Sequence, residues 1–226
     1  MFDKYRLDGD YHWREFESPC VYRDHVLKVI DWIKEKKVLD IGCGDGPITS
    51  KIGAKGIDTD EEGIRLAQKH GVPCEVMSAY DVKGKYDAVF LGDTLEHLEY
   101  PDKAIEAIGK ITNTLYIVVP TESDADDCTE WNHNQLRVFM MNHGWNEEST
   151  ETTNFRIYGK YTINGRIGIH RKTLPKKDKV PSIRPAKRGR HKGQVKTRKV
   201  VRKRKVQGSN KSSGASGSGR RRNQPV

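Results

Sequence analysis

The sequence predicts an α/β protein: a mostly parallel, Rossmann-like sheet with helices on both faces and a C-terminal antiparallel hairpin. Three observations carry that expectation. Short apolar runs alternate with helical periodicities through the first two thirds of the chain. The first strong apolar run opens into a glycine loop, "VLDIGCGDG" (38–46). Beyond Arg171 the composition changes abruptly, which sets the domain division at 1–170 for the folded body and 171–226 for a Lys/Arg-rich tail.

Ser18-Pro19 has the form of a helix start, with Tyr22, Val26, Val29, Ile30 and Ile33 following at helical spacing. "KKVLDIG" is a short buried strand between charged and glycine punctuation. "PITSKIG" is a short helix and "AKGID" a second strand. "DEEGIRLAQKHG" begins with acids, ends with Lys and His and stops at Gly71, as a helix does. "PCEVM", "YDAVFLG" and "LYIVVP" are further strands, while "PDKAIEAIGKI" and "HNQLRVFMMNHG" are helices. The remainder to Ile169 has strand-like alternation, as in "RIYGKYTINGRIGIH", with Asn164-Gly165 as a hairpin turn signal. Strands alternating with helices give a parallel sheet buried on both faces, whose ligands lie beyond the carboxyl ends of the strands. Functional residues are therefore expected at 40–46, 58–60, 78–81, 92–93 and 120–121.

Charge divides the chain. Residues 171–226 hold 21 Lys or Arg against one acid, Asp178, which leaves 20 bases and 30 acids in 1–170. The tail has no Phe, Trp or Tyr, and "GSNKSSGASGSG" is flexible-linker composition, so it reads as disordered. Runs such as "KTRKVVRKRK" suit a polyanion, making nucleic acid a candidate partner through 171–226. No apolar run reaches the length of a membrane span and no early apolar stretch follows a basic start. The expected setting is cytoplasmic and non-secreted, or nuclear in a eukaryote. The four cysteines form no CxxC pair, which argues against a zinc ribbon or a disulfide framework.

In the glycine loop, Gly42, Gly44 and Gly46 allow a tight turn and close approach to a ligand. A dinucleotide fingerprint would need a third glycine where Pro47 stands, and Asp40 and Asp45 would repel a pyrophosphate. A nicotinamide dehydrogenase is disfavoured on both counts. S-adenosylmethionine, with an ammonium, a sulfonium and no phosphate, suits the acids better. Asp58, eighteen positions after Asp40, ends the second strand, where a carboxylate can accept both ribose hydroxyls. In "SAYDV", Tyr80 is placed to flank an adenine and Asp81 to accept its amino hydrogens or to serve as a turn residue.

"VLDIGCGDG", "GID", "YDAVFLGDTLEHLEYP" and "LYIVVP", in that order over roughly residues 36–145, resemble the class I S-adenosylmethionine-dependent methyltransferases. The resemblance implies that Asp40, Gly42, Cys43 and Gly44 line the methionine part of S-adenosyl-L-methionine. It implies that Asp58 and Thr59 hold the ribose, that Ala79, Tyr80 and Asp81 line the adenine, and that Leu91 and Gly92 lie near the sulfur. "GDTLEH" (92–97) then falls beside the reacting methyl, with Asp93, Glu96 and His97 on one face of a helix. The ubiquinone-biosynthesis O-methyltransferases carry E-x-x-E-H here. The methyltransferases of the terminal ribose of small RNAs resemble this chain more weakly and add a downstream histidine. That similarity implies a divalent metal such as Mg on Asp93, Glu96, His97 and His133, with the three former residues catalytic. D-x-x-E is also a capping box, Asp93 as N-cap and Glu96 at N3. Trp131 and Trp145 fit core or pocket wall. Tyr11-His12-Trp13 fits a lid over the cofactor or ordinary packing.

The loop "TESDADDCTE" (121–130) has five acids and suits a cationic or neutral acceptor rather than a phosphate. The sequence thus supports methyl transfer to an oxygen or nitrogen acceptor. That acceptor is RNA tethered by the tail, or a small metabolite. A catalytically inactive, cofactor-binding adaptor with a nucleic-acid-binding tail is the reading of a different class.

Overall fold

The computed structural model describes residues 4–163 except 123, 125 and 126. Tail expectations, including disorder and nucleic-acid binding through 171–226, and the Asn164-Gly165 turn lie outside these residues. Seven strands form one sheet in the order β3-β2-β1-β4-β5-β7-β6. They are β1 Val38–Ile41, β2 Lys55–Asp58, β3 Cys74–Val76, β4 Ala88–Gly92, β5 Thr114–Pro120, β6 Asn146–Thr152 and β7 Arg156–Thr162. β1 to β5 are parallel, and β7 runs antiparallel between β5 and β6. β1 pairs with β2 on one side and β4 on the other, so strand order reverses between β1 and β4. That crevice is where an open sheet of this kind holds its ligand.

The strands alternate between two cores, as a period of two requires. Leu39, Ile41, Val89, Leu91, Leu115 and Ile117 pack on one face with helix α6 (Pro101–Ile108). Val38, Ala88, Phe90, Tyr116 and Val118 pack on the other, where Val29 and Ile33 join them from helix α3 and its end (Val21–Trp32). Helix α4 (Pro47–Lys51) starts on Gly46, and α5 (Glu61–Lys69) is capped by Asp60, which accepts from the Glu62 and Gly63 amides. Helix α7 (His133–Asn142) starts with a capping box made by Asn132 and Gln135. Among the described residues no helix is long and apolar enough to cross a membrane.

The start of α3 differs from expectation. Two helices precede it, α1 (Lys4–Asp8) and α2 (Tyr11–Glu17), and the Ser18 amide donates to Glu15 O as the end of α2. Ser18-Pro19 is therefore consumed in the bend between helices, and α3 begins at Val21 with Cys20 as an extended N-cap. The described hairpin, β6–β7, turns at 153–155. There the Thr153 amide donates to Arg156 O at 2.8 Å, and the Thr153 hydroxyl accepts the Arg156 amide at 3.0 Å.

A candidate active site at the strand-order reversal

A cleft of about 1010 Å³ opens over the carboxyl ends of β1, β2, β4 and β5. It lies at the upper end of the roughly 300–1,000 Å³ usual for ligand sites. Its first half is the glycine loop. Gly42 and Gly44 have φ of +81° and +53°, the left-handed region that favours glycine. A Cβ on Gly42 would lie 2.2 Å from Thr94 Oγ1, and one on Gly44 2.0 Å from the Tyr5 hydroxyl. The Thr94 hydroxyl bonds Ile41 O and Gly92 O, tying β1 to β4 across the crevice.

The acids of this half are all engaged. Asp40 is 3% exposed and accepts from Thr49 Oγ1 at 2.6 Å; burial pushes its carboxyl up to about 7. Asp58 accepts the Gly44 amide at 2.8 Å and the Asp60 amide at 2.9 Å, and burial raises its pKa. Asp45 faces no ligand. It is fully buried, takes His12 Nδ1 at 2.7 Å, and its carbonyl accepts Trp13 Nε1 at 2.7 Å. Tyr11-His12-Trp13 is thus a clip that fastens α2 to the glycine loop. His12 stacks on Tyr22, and Tyr5, Tyr11, His12 and Tyr22 line the cleft.

Cys43, Thr59, Ala79, Tyr80 and Gly92 line the cleft as expected. Two expected residues do not. The Asp81 amide donates to Ser78 O, closing a turn that leaves Asp81 exposed and outside the cleft wall. Leu91 is fully buried in the core on the α6 side, because its strand parity turns it away from the cleft.

The second half is built around "GDTLEH". Asp93 has φ +45° and does not cap a helix; Leu95–His97 is a single 3-10 turn preceded by Thr94, with no side-chain cap. The capping box is therefore absent. Asp93 instead faces Arg156 at the start of β7, with Nε–Oδ2 at 2.9 Å and Nη2–Oδ2 at 2.8 Å. Glu96 is 2% exposed, and burial pushes its carboxyl up to about 8. Its main-chain carbonyl accepts the Cys128 and Thr129 amides. Its Oε2 has no hydrogen-bond partner among the described residues. His97 Nδ1 lies 3.1 Å from Asp127 Oδ1.

These residues do not fit the divalent ion implied by resemblance. The guanidinium of Arg156 already engages both oxygens of Asp93. His133 is outside the cleft wall, bonded through Nε2 to Glu147 on β6 at 3.1 Å. Among the described residues no three His, Cys, Asp or Glu side chains group as metal ligands. Trp131 and Trp145 are core residues, 7% and 1% exposed.

Several cleft residues have no motif that marks them in the sequence, among them Arg156, Tyr22 and His25. Arg156 lies in a strand with no motif. Tyr22 reads in the sequence only as a helix-face apolar residue. His25, on α3, is 3% exposed, bonds Tyr158 Oη at 2.9 Å and is held down to about 4 by burial. The apolar periodicity of α3 marks His25 as inward-facing, and that was its available signal.

The Rossmann-like sheet, the glycine loop at its strand-order reversal and the carboxylate ending β2 together define the class I methyltransferase architecture. The chain belongs to the methyltransferase domain family, whose model matches residues 13–157. It is 30% identical over 99 residues to a ubiquinone biosynthesis O-methyltransferase of Shewanella halifaxensis, covering 37% of this chain and 42% of that protein. It is 33% identical over 101 residues to that of Bordetella parapertussis, covering 34% and 42%. The chain thus spans less than half the length of these curated relatives. Among solved structures, magnesium protoporphyrin IX methyltransferase from Synechocystis PCC 6803 with bound S-adenosylhomocysteine superposes with a TM-score of 0.59. The identity is 16%, over 72% of this chain and 97% of that one. A chain from the complex of the Haloferax volcanii Trm112 methyltransferase activator with a putative methyltransferase gives the same TM-score and coverage at 13% identity. Both likenesses are of fold.

Proposed function

We propose that this protein binds S-adenosyl-L-methionine across the ends of β1, β2 and β3 and transfers its methyl group to an oxygen or nitrogen acceptor at the ends of β4 and β5. The observation that carries this reading is one continuous cleft, which runs from the glycine loop and Asp58 to Glu96 and Arg156. In it, Asp40 and the Gly42–Gly44 backbone face the methionine part, with Cys43 beside them. Asp58 and Thr59 face the ribose, Ala79 and Tyr80 the adenine, and Gly92 the sulfur. The missing Cβ atoms of Gly42 and Gly44 leave room for the main chain to approach the cofactor.

The donor is already activated, so the protein's task is alignment. The acceptor lone pair attacks the methyl carbon, the carbon–sulfur bond breaks, and its electron pair stays on sulfur, which becomes neutral. The acceptor's proton leaves to a nearby base, for which His97, set against Asp127, lines the cleft. Asp93 acts through its pairing with Arg156, positioning the β4 loop against β7. The names of the curated relatives favour a hydroxyl as acceptor.

Calorimetry with S-adenosylmethionine and with NAD tests the reading. Binding of the former alone is expected; tight NAD binding without it would overturn the proposal. Labelled methyl donor offered to RNA, protein and metabolite pools then identifies the class that takes the label.

A further inference from the structure

We infer that the acceptor carries a cationic group, an ammonium or guanidinium, held against Glu96 on the wall formed by the loops after β4 and β5. The inference rests on the methyl-transfer reading above and adds the chemistry that the acceptor must present.

Glu96 is the starting point. Its side chain lines the cleft and is 2% exposed, and Oε2 lacks a partner among the described residues. Buried carboxyl oxygens are normally hydrogen-bonded, because a bare one has given up its hydration with nothing in return. The 3-10 turn and the amides of Cys128 and Thr129 fix the main chain of Glu96, and burial confines its side chain. A group held at that cost beside a reaction cleft has the character of a binding group waiting for a donor.

The surroundings decide the charge of that donor. Glu99, Glu122, Asp124 and Asp127 line the same wall. Among the described residues of that wall the fixed cation is Arg156, and Asp93 takes its guanidinium. His97 faces Asp127. A phosphate or carboxylate entering this wall meets five carboxyl groups with the guanidinium already committed. An ammonium or guanidinium meets a complementary field, and its charge favours the ionised form of Glu96, whose Oε2 then accepts its N–H groups. The cation is a recognition group; the atom that takes the methyl is a hydroxyl or amine elsewhere on the same molecule.

The test uses the full chain saturated with S-adenosylhomocysteine. Calorimetry compares three probes of similar shape, with EDTA present: dopamine (cationic), 4-ethylcatechol (neutral) and 3-(3,4-dihydroxyphenyl)propionate (anionic). Dopamine is expected to bind about tenfold tighter than the neutral probe, and the anion weakest. In Glu96→Gln the cation's advantage is expected to fall to about threefold or less. If that variant does not fold, the exposed double variant Glu122→Gln, Asp124→Asn reports instead, with the advantage narrowed by about half or more. A neutral or anionic probe that binds as well as dopamine, an advantage unchanged by the substitutions, binding of none of the three, or binding that appears only with Mg²⁺ would overturn the inference. Loss of S-adenosylhomocysteine binding is a separate result, and it counts against the methyl-transfer reading itself.

Discussion

The two halves of the cleft handle their carboxylates differently. In the half built on β1 and β2, each acid has its partners in place: Asp40 has Thr49, Asp58 the Gly44 and Asp60 amides, and Asp45 has His12. In the half built on β4, β5 and β7, Asp93 depends on Arg156, 63 residues away, and Glu96 Oε2 has no partner among the described residues. The first half is a rigid cradle whose polar groups are set before a ligand arrives. The second keeps part of its polarity in reserve for a ligand. Pre-organisation suits a constant cofactor, whereas unspent hydrogen-bonding capacity suits recognition of an acceptor.

The largest effect is expected where the halves touch. Gly42→Ala places a Cβ against Thr94 at a positive φ and should destabilise the fold by roughly 2–4 kcal/mol, read by urea unfolding. The same change at Gly71, which also has positive φ but no neighbour within 4 Å of a Cβ, should cost only about 1 kcal/mol.

Acid should expose the second half next. His25 stays neutral in the fold down to about pH 4, whereas its unfolded imidazole takes a proton near the ordinary 6.5. Between those values the unfolded chain binds the extra proton. The His25 contribution is therefore intact above pH 6.5 and is lost progressively toward pH 4, by up to about 3 kcal/mol. His25→Gln keeps a group able to bond Tyr158 and should flatten that part of the pH–stability curve.

Glu96→Gln should raise stability by roughly 1–3 kcal/mol at pH 8 while weakening acceptor binding. Burial lifts the folded pKa of Glu96 to about 8, above its ordinary 4.5. The proton-linked advantage of the acid is full below 4.5 and fades as pH rises through 8, so the gain from glutamine should shrink in acid. A thermal melt series across pH 5–9 checks both limbs. The smallest effect belongs to the partly buried pair Asp93–Arg156. A double-mutant cycle with Asp93→Asn and Arg156→Met should give a coupling of about 1 kcal/mol.

The same division explains what the sequence made legible. Strands of alternating parity, the glycine loop and Asp58 are written in local patterns, and the sheet and the first half of the cleft follow from them. "NEESTET" carries no apolar alternation because β6 is an edge strand with mostly exposed side chains, so its pairing depends on β7. Arg156 has no local signature; its role appears only when β7 inserts beside β5 and brings it to Asp93. His12 reaches Asp45 across 33 residues and His25 reaches Tyr158 across 133. The D-x-x-E spacing misled because the chain turns through left-handed Asp93, which removes the helix start that a cap or a metal-binding face would need.

One calorimetric comparison tests the division most directly: S-adenosylmethionine titrated into Asp58→Ala and into Glu96→Gln, beside the unmodified chain. Asp58→Ala is expected to weaken binding by about tenfold or more, through loss of the proposed ribose contacts and the orphaning of the Gly44 and Asp60 amides, whereas Glu96→Gln is expected to stay within about twofold. Equal losses in both variants, or a larger loss in Glu96→Gln, would contradict the separation of a cofactor cradle from an acceptor wall.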